Sequence, residues 1–69
     1  MQSRIEVGDL VRVRRDGGSA AARRYAGKKG HVTMRGLGID RIVVDVRIHE
    51  NNFDTVFEEQ DLSKLLSDS

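Results

Sequence analysis

The side chains best able to do chemistry in this chain are its cations. Arg12, Arg14 and Arg15 form one short run, and Arg23, Arg24, Lys28 and Lys29 form a second, with Tyr25 among them. Guanidinium and ammonium groups gathered in this way bind phosphate backbones, and backbone N–H groups at glycine turns add donors. These eight residues are therefore the expected nucleic-acid-binding site. The charges converge if Arg12 and Arg14 share the outer face of a strand and the segment 15–24 folds over them. The competing expectation is a solvated basic face that pairs with Asp45, Glu58 and Glu59 on neighbouring strands. Tyr25 and Phe53 carry rings of the kind on which bases stack in single-stranded RNA. With only one Tyr and two Phe in the chain, the core has first claim on them, which leaves recognition by shape and backbone as the RNA mode.

Other chemistries find little support. His31 and His49 are the only imidazoles, and both are expected on outward strand faces without a chemical role. A zinc site needs three or four ligands, and no His/Asp/Glu spacing here supplies them. Asp54, Glu58, Glu59 and Asp61 form an acidic run. Paired-carboxylate catalysis needs a cleft that shifts one pKa, and the spacing misses the EF-hand pattern, so a solvated turn is expected. Gly27-Lys28-Lys29-Gly30 lacks the length and the Lys-Ser/Thr ending of a P-loop. Ser19 has no base nearby in sequence. No catalytic residue, metal ligand or cofactor is expected, and the chain reads as a non-catalytic binding module.

Composition sets the frame for these groups. Sixty-nine residues make one domain, here 5–66 with loose ends at 1–4 and 67–69, and its core is near the lower limit for folding alone. The absence of cysteine excludes a disulfide framework and a thiolate metal site. A cytoplasmic location is the expectation, since no apolar run approaches the roughly 20 residues that cross a membrane. Net charge is +1, but it is unevenly spread. Residues 1–35 hold nine Lys/Arg against three Asp/Glu, and residues 36–69 hold three against eight. Such a split either polarises the surface or is interleaved into cross-strand salt pairs.

The elements that must position the cations are strands. Alternation of Ile5, Val7, Val11 and Val13 against Arg12 and Arg14 predicts a strand over Leu10–Arg14. Asp16-Gly17-Gly18-Ser19 and the alanines behind it read as a long, mobile, basic loop in preference to a helical turn capped by Ser19. Gly27 and Gly30 bracket two lysines where the backbone is expected to take φ > 0 or to pass close to a neighbour. A second strand follows over Gly30–Met34, with Val32 and Met34 inward, and Arg35 to Asp40 forms a glycine-punctuated connection. Arg41–Ile48 is the clearest strand, with Ile42, Val44, Val46 and Ile48 on its inner face. Phe53–Phe57 is the fourth, a 3₁₀ turn covers the acidic run, and Leu62, Leu65 and Leu66 close the core. Five short strands in so small a chain predict an all-β, five-stranded, strongly bent barrel with a long basic loop between strands one and two.

Three stretches carry a resemblance: Val7-Gly8-Asp9-Leu10-Val11-Arg12-Val13, Gly27-Lys28-Lys29-Gly30-His31-Val32 and Ile42-Val43-Val44-Asp45-Val46. In this order they resemble the SH3-like barrels of the KOW group, found in ribosomal proteins and transcription elongation factors. Phe57-Glu58-Glu59-Gln60-Asp61-Leu62 is similar to the last turn and strand of such barrels. The basic run into Gly30 is similar to a large-subunit ribosomal protein of archaea and eukaryotes. The segment between the first strand and the Gly-x-x-Gly turn is longer than a KOW motif keeps. The layout, including Asn51-Asn52-Phe53, is also similar to the small SH3-like subunit of photosystem I, which binds protein. The resemblance thus implies one fold and two functions. One is binding of RNA or ribonucleoprotein through the basic residues. The other is an accessory subunit docking on a larger protein assembly through Leu10, Val43 and Val56, all on the parity opposite to the core; the same three residues suit a homodimer.

Overall fold

A computed structural model describes residues 4–66 of the chain. The loose ends expected at 1–3 and 67–69 lie outside the described residues. Arg4 is tied in, since its carbonyl accepts a hydrogen bond from Lys64 Nζ at 3.1 Å. The elements run β1 (Leu10–Val13), α1 (Ala20–Arg24), β2 (Lys29–Gly38), β3 (Arg41–Ile48), β4 (Asp54–Glu58), a 3₁₀ turn (Glu59–Asp61) and β5 (Leu62–Leu66). The five strands form one antiparallel sheet in the order β4-β3-β2-β1-β5. The predicted five-stranded all-β architecture is what the chain adopts.

Closure into a barrel is not part of it, because β4 and β5 lie at opposite ends of the order and do not pair with each other. The sheet nevertheless has to curl. Five flat strands place their outer members about 19 Å apart at ordinary strand spacing. The step from Glu58 to Leu62 reaches only about 14 Å when fully extended. The short 3₁₀ turn therefore draws the two edges together, and the concave face encloses the core. Ile5, Val11, Val13, Ala22, Val32, Val44, Val46, Ile48, Phe57 and Leu62 make up that core, with Ala21, Tyr25 and Ile42 packed against it.

Departures from simple alternation have local causes. A register shift between Val32 and Met34 inserts Thr33 as an extra residue opposite β3. Beyond it the concave-face positions of β2 become Arg35 and Leu37 instead of Met34, with Leu37 past the edge of the core and exposed, because one added residue exchanges the two faces of a strand. Met34 is 60% exposed, which corrects its expected place in the core. Arg35 turns inward instead and donates from Nη1 to the Ile5 carbonyl at 2.8 Å and to Glu59. β2 also runs on to Gly38, so the expected long connection shrinks to a turn at Ile39-Asp40, with Asp40 at φ 65°.

Val7 was expected inside and is exposed, because Glu6 to Asp9 is a turn with Gly8 at φ 94°. The Asp9 carboxylate occupies the inner position, accepting from Glu6 N at 2.7 Å and facing Lys64 Nζ at 3.2 Å. Leu65 and Leu66 are also exposed. In a strand Lys64, not Leu65, shares the side of Leu62, and the register shift that leaves Leu65 as an extra residue opposite β1 sets Leu66 beside Leu10 on the other face. Phe53 lies one residue before β4, with its carbonyl bonded to Ile48 N, and is exposed beyond the end of the core. Phe57 fills the place expected of both phenylalanines.

The segment 15–24 is not a mobile loop. Ser19 caps α1 by accepting from Ala22 N at 3.1 Å, and its hydroxyl donates to Asp61 Oδ2 at 2.8 Å. Ala22 is buried in the core. Asp61 is itself buried and its carbonyl accepts from Arg14 N at 2.8 Å. A five-residue helix has no stability of its own in water; the carboxylate and the alanine contact hold it.

Candidate nucleic-acid interface

Two glycines set the edge on which the cations stand. Gly27 takes φ 81°, a region that side chains disfavour, and the turn it makes returns the chain along β1. Gly27 N donates to the Val13 carbonyl and Val13 N to the Lys28 carbonyl, both at 2.8 Å. Gly30 is buried against β3, where a Cβ would overlap the carbonyl oxygen of Arg47. The close approach of β2 to β3 at this point brings side chains of three strands together.

The register then reads as rows on the convex face. Arg12 lies opposite Ser63 on β5 and Lys29 on β2, and His49 N donates to the Lys29 carbonyl at 3.0 Å. The row Ser63–Arg12–Lys29–His49 therefore crosses the sheet. The next row is Leu10–His31–Arg47–Asp54. Arg12, Lys29, His31, Arg47 and His49 are all exposed. Adjacent strands are about 4.8 Å apart, so three cationic or imidazole side chains of the first row fall within about 10 Å.

The eight sequence-predicted residues do not behave alike. Arg12 and Lys29 are brought together, and neither has a carboxylate within ion-pair distance among the described residues. Arg15 is also unpaired among them, and its guanidinium lies over Gly27. Arg23 and Arg24 extend from the last turn of α1, and the Arg24 guanidinium stands 5.6 Å from the centre of the Tyr25 ring. Tyr25 is half-buried, meets Phe57 edge-on at 6.3 Å, and its hydroxyl accepts from Asn51 Nδ2 at 3.2 Å. Its ring thus packs against the core while its hydroxyl is engaged at the surface. Lys28 is engaged by Glu50 at 3.1 Å.

Arg14 is held by Asp16 through two bonds, Nε to Oδ1 at 3.0 Å and Nη2 to Oδ2 at 3.2 Å. The hydrogen bonds and charge of this pair lower the Asp16 pKa below its ordinary value and raise that of Arg14. Both groups lie at the surface. Of the eight, Arg12, Arg15, Arg23, Arg24 and Lys29 are thus the ones without a carboxylate partner among the described residues.

His31, His49 and Arg47 flank these cations without belonging to the predicted set. The signal for them is register: parity puts all three on the outer face, but only the pairing of β1, β2 and β3 puts them beside Arg12 and Lys29. His31 Nδ1 lies 2.7 Å from His49 Nε2. The expected protein-docking triad separates. Leu10, half-buried, lies opposite His31, while Val43 and Val56 stand across the sheet on β3 and β4, joined there by Met34 around Asp45. The acidic run divides too: Glu58 and Glu59 face Arg41 and Arg35, Asp54 faces Arg47, and Asp61 is buried beneath α1.

Among the described residues, no group of three or more His, Cys, Asp or Glu could hold a metal ion, and no helix is long and apolar enough to cross a membrane. Compared with protein-family models, curated proteins and solved structures, the chain matches none.

Proposed function

We propose that this chain is a non-catalytic module that binds the phosphate backbone of RNA, free or within a ribonucleoprotein. The observation that carries this reading is the cross-strand pair Arg12–Lys29, exposed and without a carboxylate partner among the described residues. Arg15, Arg23 and Arg24 extend the same charge along the edge formed by β1 and α1. Unmatched cations held by a sheet bind a polyanion by displacing its condensed counterions. The scarcity of exposed aromatic rings favours backbone contacts over base readout. The sequence likeness to KOW-type SH3-like barrels points the same way as a fold analogy, and the lack of cysteine suits the reducing cytoplasm.

The test is fluorescence anisotropy with a labelled structured RNA at low and near-physiological salt. Binding should weaken steeply with salt, and Arg12→Glu/Lys29→Glu should weaken it by more than about tenfold at low salt while leaving the melting temperature close to that of the parent. Absence of binding at either salt overturns the reading.

A second reading is favoured by a separate observation. Met34, Val56, Leu37 and Ile39 are exposed at 60%, 54%, 86% and 88%, and Met34, Val43 and Val56 share the convex face of β2, β3 and β4. Exposed apolar surface of this kind marks protein contacts, as in an accessory subunit docked on a larger assembly. Met34→Gln/Val56→Thr, which keeps net charge, should leave RNA affinity unchanged while removing the apolar contact, so the two readings separate by variant.

A further inference from the structure

The bond between His31 Nδ1 and His49 Nε2 has a chemical requirement. One ring must donate an N–H and the other must accept with a bare lone pair. The pair therefore holds either no extra proton or one while the bond is intact. With one, the bond is charge-assisted and the positive charge is shared by the two rings. A second proton sets two N–H groups against each other and breaks the contact. The remaining nitrogens, His31 Nε2 and His49 Nδ1, have no hydrogen-bond partner among the described residues.

The groups around the rings are mainly cationic. β1 contributes Arg12 and the apolar Leu10; β2 contributes Lys29 and Thr33. β3 contributes Arg47, which is engaged by Asp54 of β4 at 2.9 Å. The chain after β3 contributes Glu50, which is engaged by Lys28. Both of these carboxylates are thus already occupied, and Asp45, one row along from Arg47 on the same face of β3, lies opposite Met34 and Val56. Three flanking cations oppose a divalent metal ion, whereas they favour an anion. Imidazole is the side chain that changes charge within the physiological range.

We infer that His31 and His49 form a proton-dependent phosphate contact next to Arg12 and Lys29, so that RNA is held more tightly as pH falls. The inference rests on the RNA-backbone reading. Without an extra proton the pair is neutral and adds no charge. On taking up one proton it becomes a further cation in the row, and an outward N–H donates to a phosphate oxygen. Binding of the phosphate and uptake of the proton then favour each other reciprocally.

The experiment uses the full chain and a 3′-labelled oligouridine with a 5′-hydroxyl, since a terminal phosphate itself titrates near pH 6. Ionic strength is held constant. One added phosphate contact predicts a tightening of roughly fivefold from about pH 8 to about pH 6. His31→Asn and His49→Asn should each remove that pH dependence while leaving affinity at the higher pH within about twofold. Affinity that is independent of pH, or that keeps its pH dependence in both variants, overturns the inference and leaves the RNA reading in place. If no RNA binds at either pH, the RNA reading falls. Ring-nitrogen NMR with sulfate, whose charge is fixed, then decides the remainder. Imidazole signals that respond to sulfate only at the lower pH support the anion contact, and signals that do not respond overturn it.

Discussion

The two sides of this sheet treat their charges differently. On the side of β3 and β4, each arginine meets a carboxylate: Arg41 faces Glu58, Arg47 faces Asp54, and Arg35 reaches across from β2 to Glu59. On the side of β1 and α1, Arg4, Arg14 and Lys28 are so matched, while Arg12, Arg15, Arg23, Arg24 and Lys29 stand unpaired among the described residues. The sequence left open whether the basic and acidic halves would polarise the surface or interleave. They do both. The acidic half is neutralised largely by its own arginines and by Arg35 and Lys28 from the other half. What remains exposed is the surplus of the basic half. Exposed ion pairs add about 0–1 kcal/mol each to stability. Their larger consequence here is to decide which cations remain available to a polyanion.

Charge reversal is the most direct way to break this contrast. Arg12→Glu/Lys29→Glu should weaken RNA binding at low salt by about 30-fold or more and lower the salt slope by about 1.4, the value for two lost contacts to a single strand. Arg41→Glu makes the same change of net charge on the matched side as Arg12→Glu alone and should weaken binding only about twofold through the general field. Anisotropy titrations at several salt concentrations measure all three. Equal losses in the two single variants would show that net charge, and not the unpaired row, determines affinity.

A smaller effect is expected from the carboxylates at the two ends of the step from β4 to β5. Asp61 is buried and accepts from Ser19, whereas Glu58 faces Arg41 at the surface. Asp61→Ala leaves the Ser19 hydroxyl unsatisfied and frees α1, for a loss of about 1–3 kcal/mol. Glu58→Gln should cost about 0–1 kcal/mol. Thermal or urea unfolding separates the two. A loss as large for Glu58→Gln would mean that the matched side is also structurally dependent on its charges.

Asp61 also shows where sequence reasoning stops. β3 is legible because its alternation is uninterrupted from Ile42 to Ile48, and Gly27 and Gly30 are legible because positive φ and close backbone approach both require glycine. α1 is not legible from its own residues. Its cap partner is 42 positions away in sequence, so local propensity alone favours a loop. Met34 misleads because the extra residue at Thr33 exchanges the faces of β2, and nothing in the pattern Gly-His-Val-Thr-Met marks it. The site divides in the same way. Its cations are visible in composition, but which of them are free depends on Asp16 and Glu50, and the place of His49 beside Lys29 depends on register.

The smallest expected effect reverses the usual direction of a mutation. If unpaired cations make the interface, removing a competing carboxylate should improve it. Asp16→Asn releases Arg14 from its bidentate partner, and Glu50→Gln releases Lys28. Each should tighten RNA binding by about two- to threefold, the effect of one partly screened contact. Stability should barely move, since both pairs are exposed at the surface. The pH dependence distinguishes Asp16 from the histidines. Its carboxyl pKa is lowered by Arg14, so any stability from the pair is present above the unfolded-state value and is lost as pH falls through the lower folded-state value. Between pH 6 and 8 Asp16 stays ionised and its pair with Arg14 stays closed. Asp16→Asn should therefore raise affinity equally across that range, whereas the histidine variants change the slope within it. A gain confined to the lower pH would assign the effect to the imidazoles instead, and no gain in either variant would show that Arg14 and Lys28 point away from the bound strand.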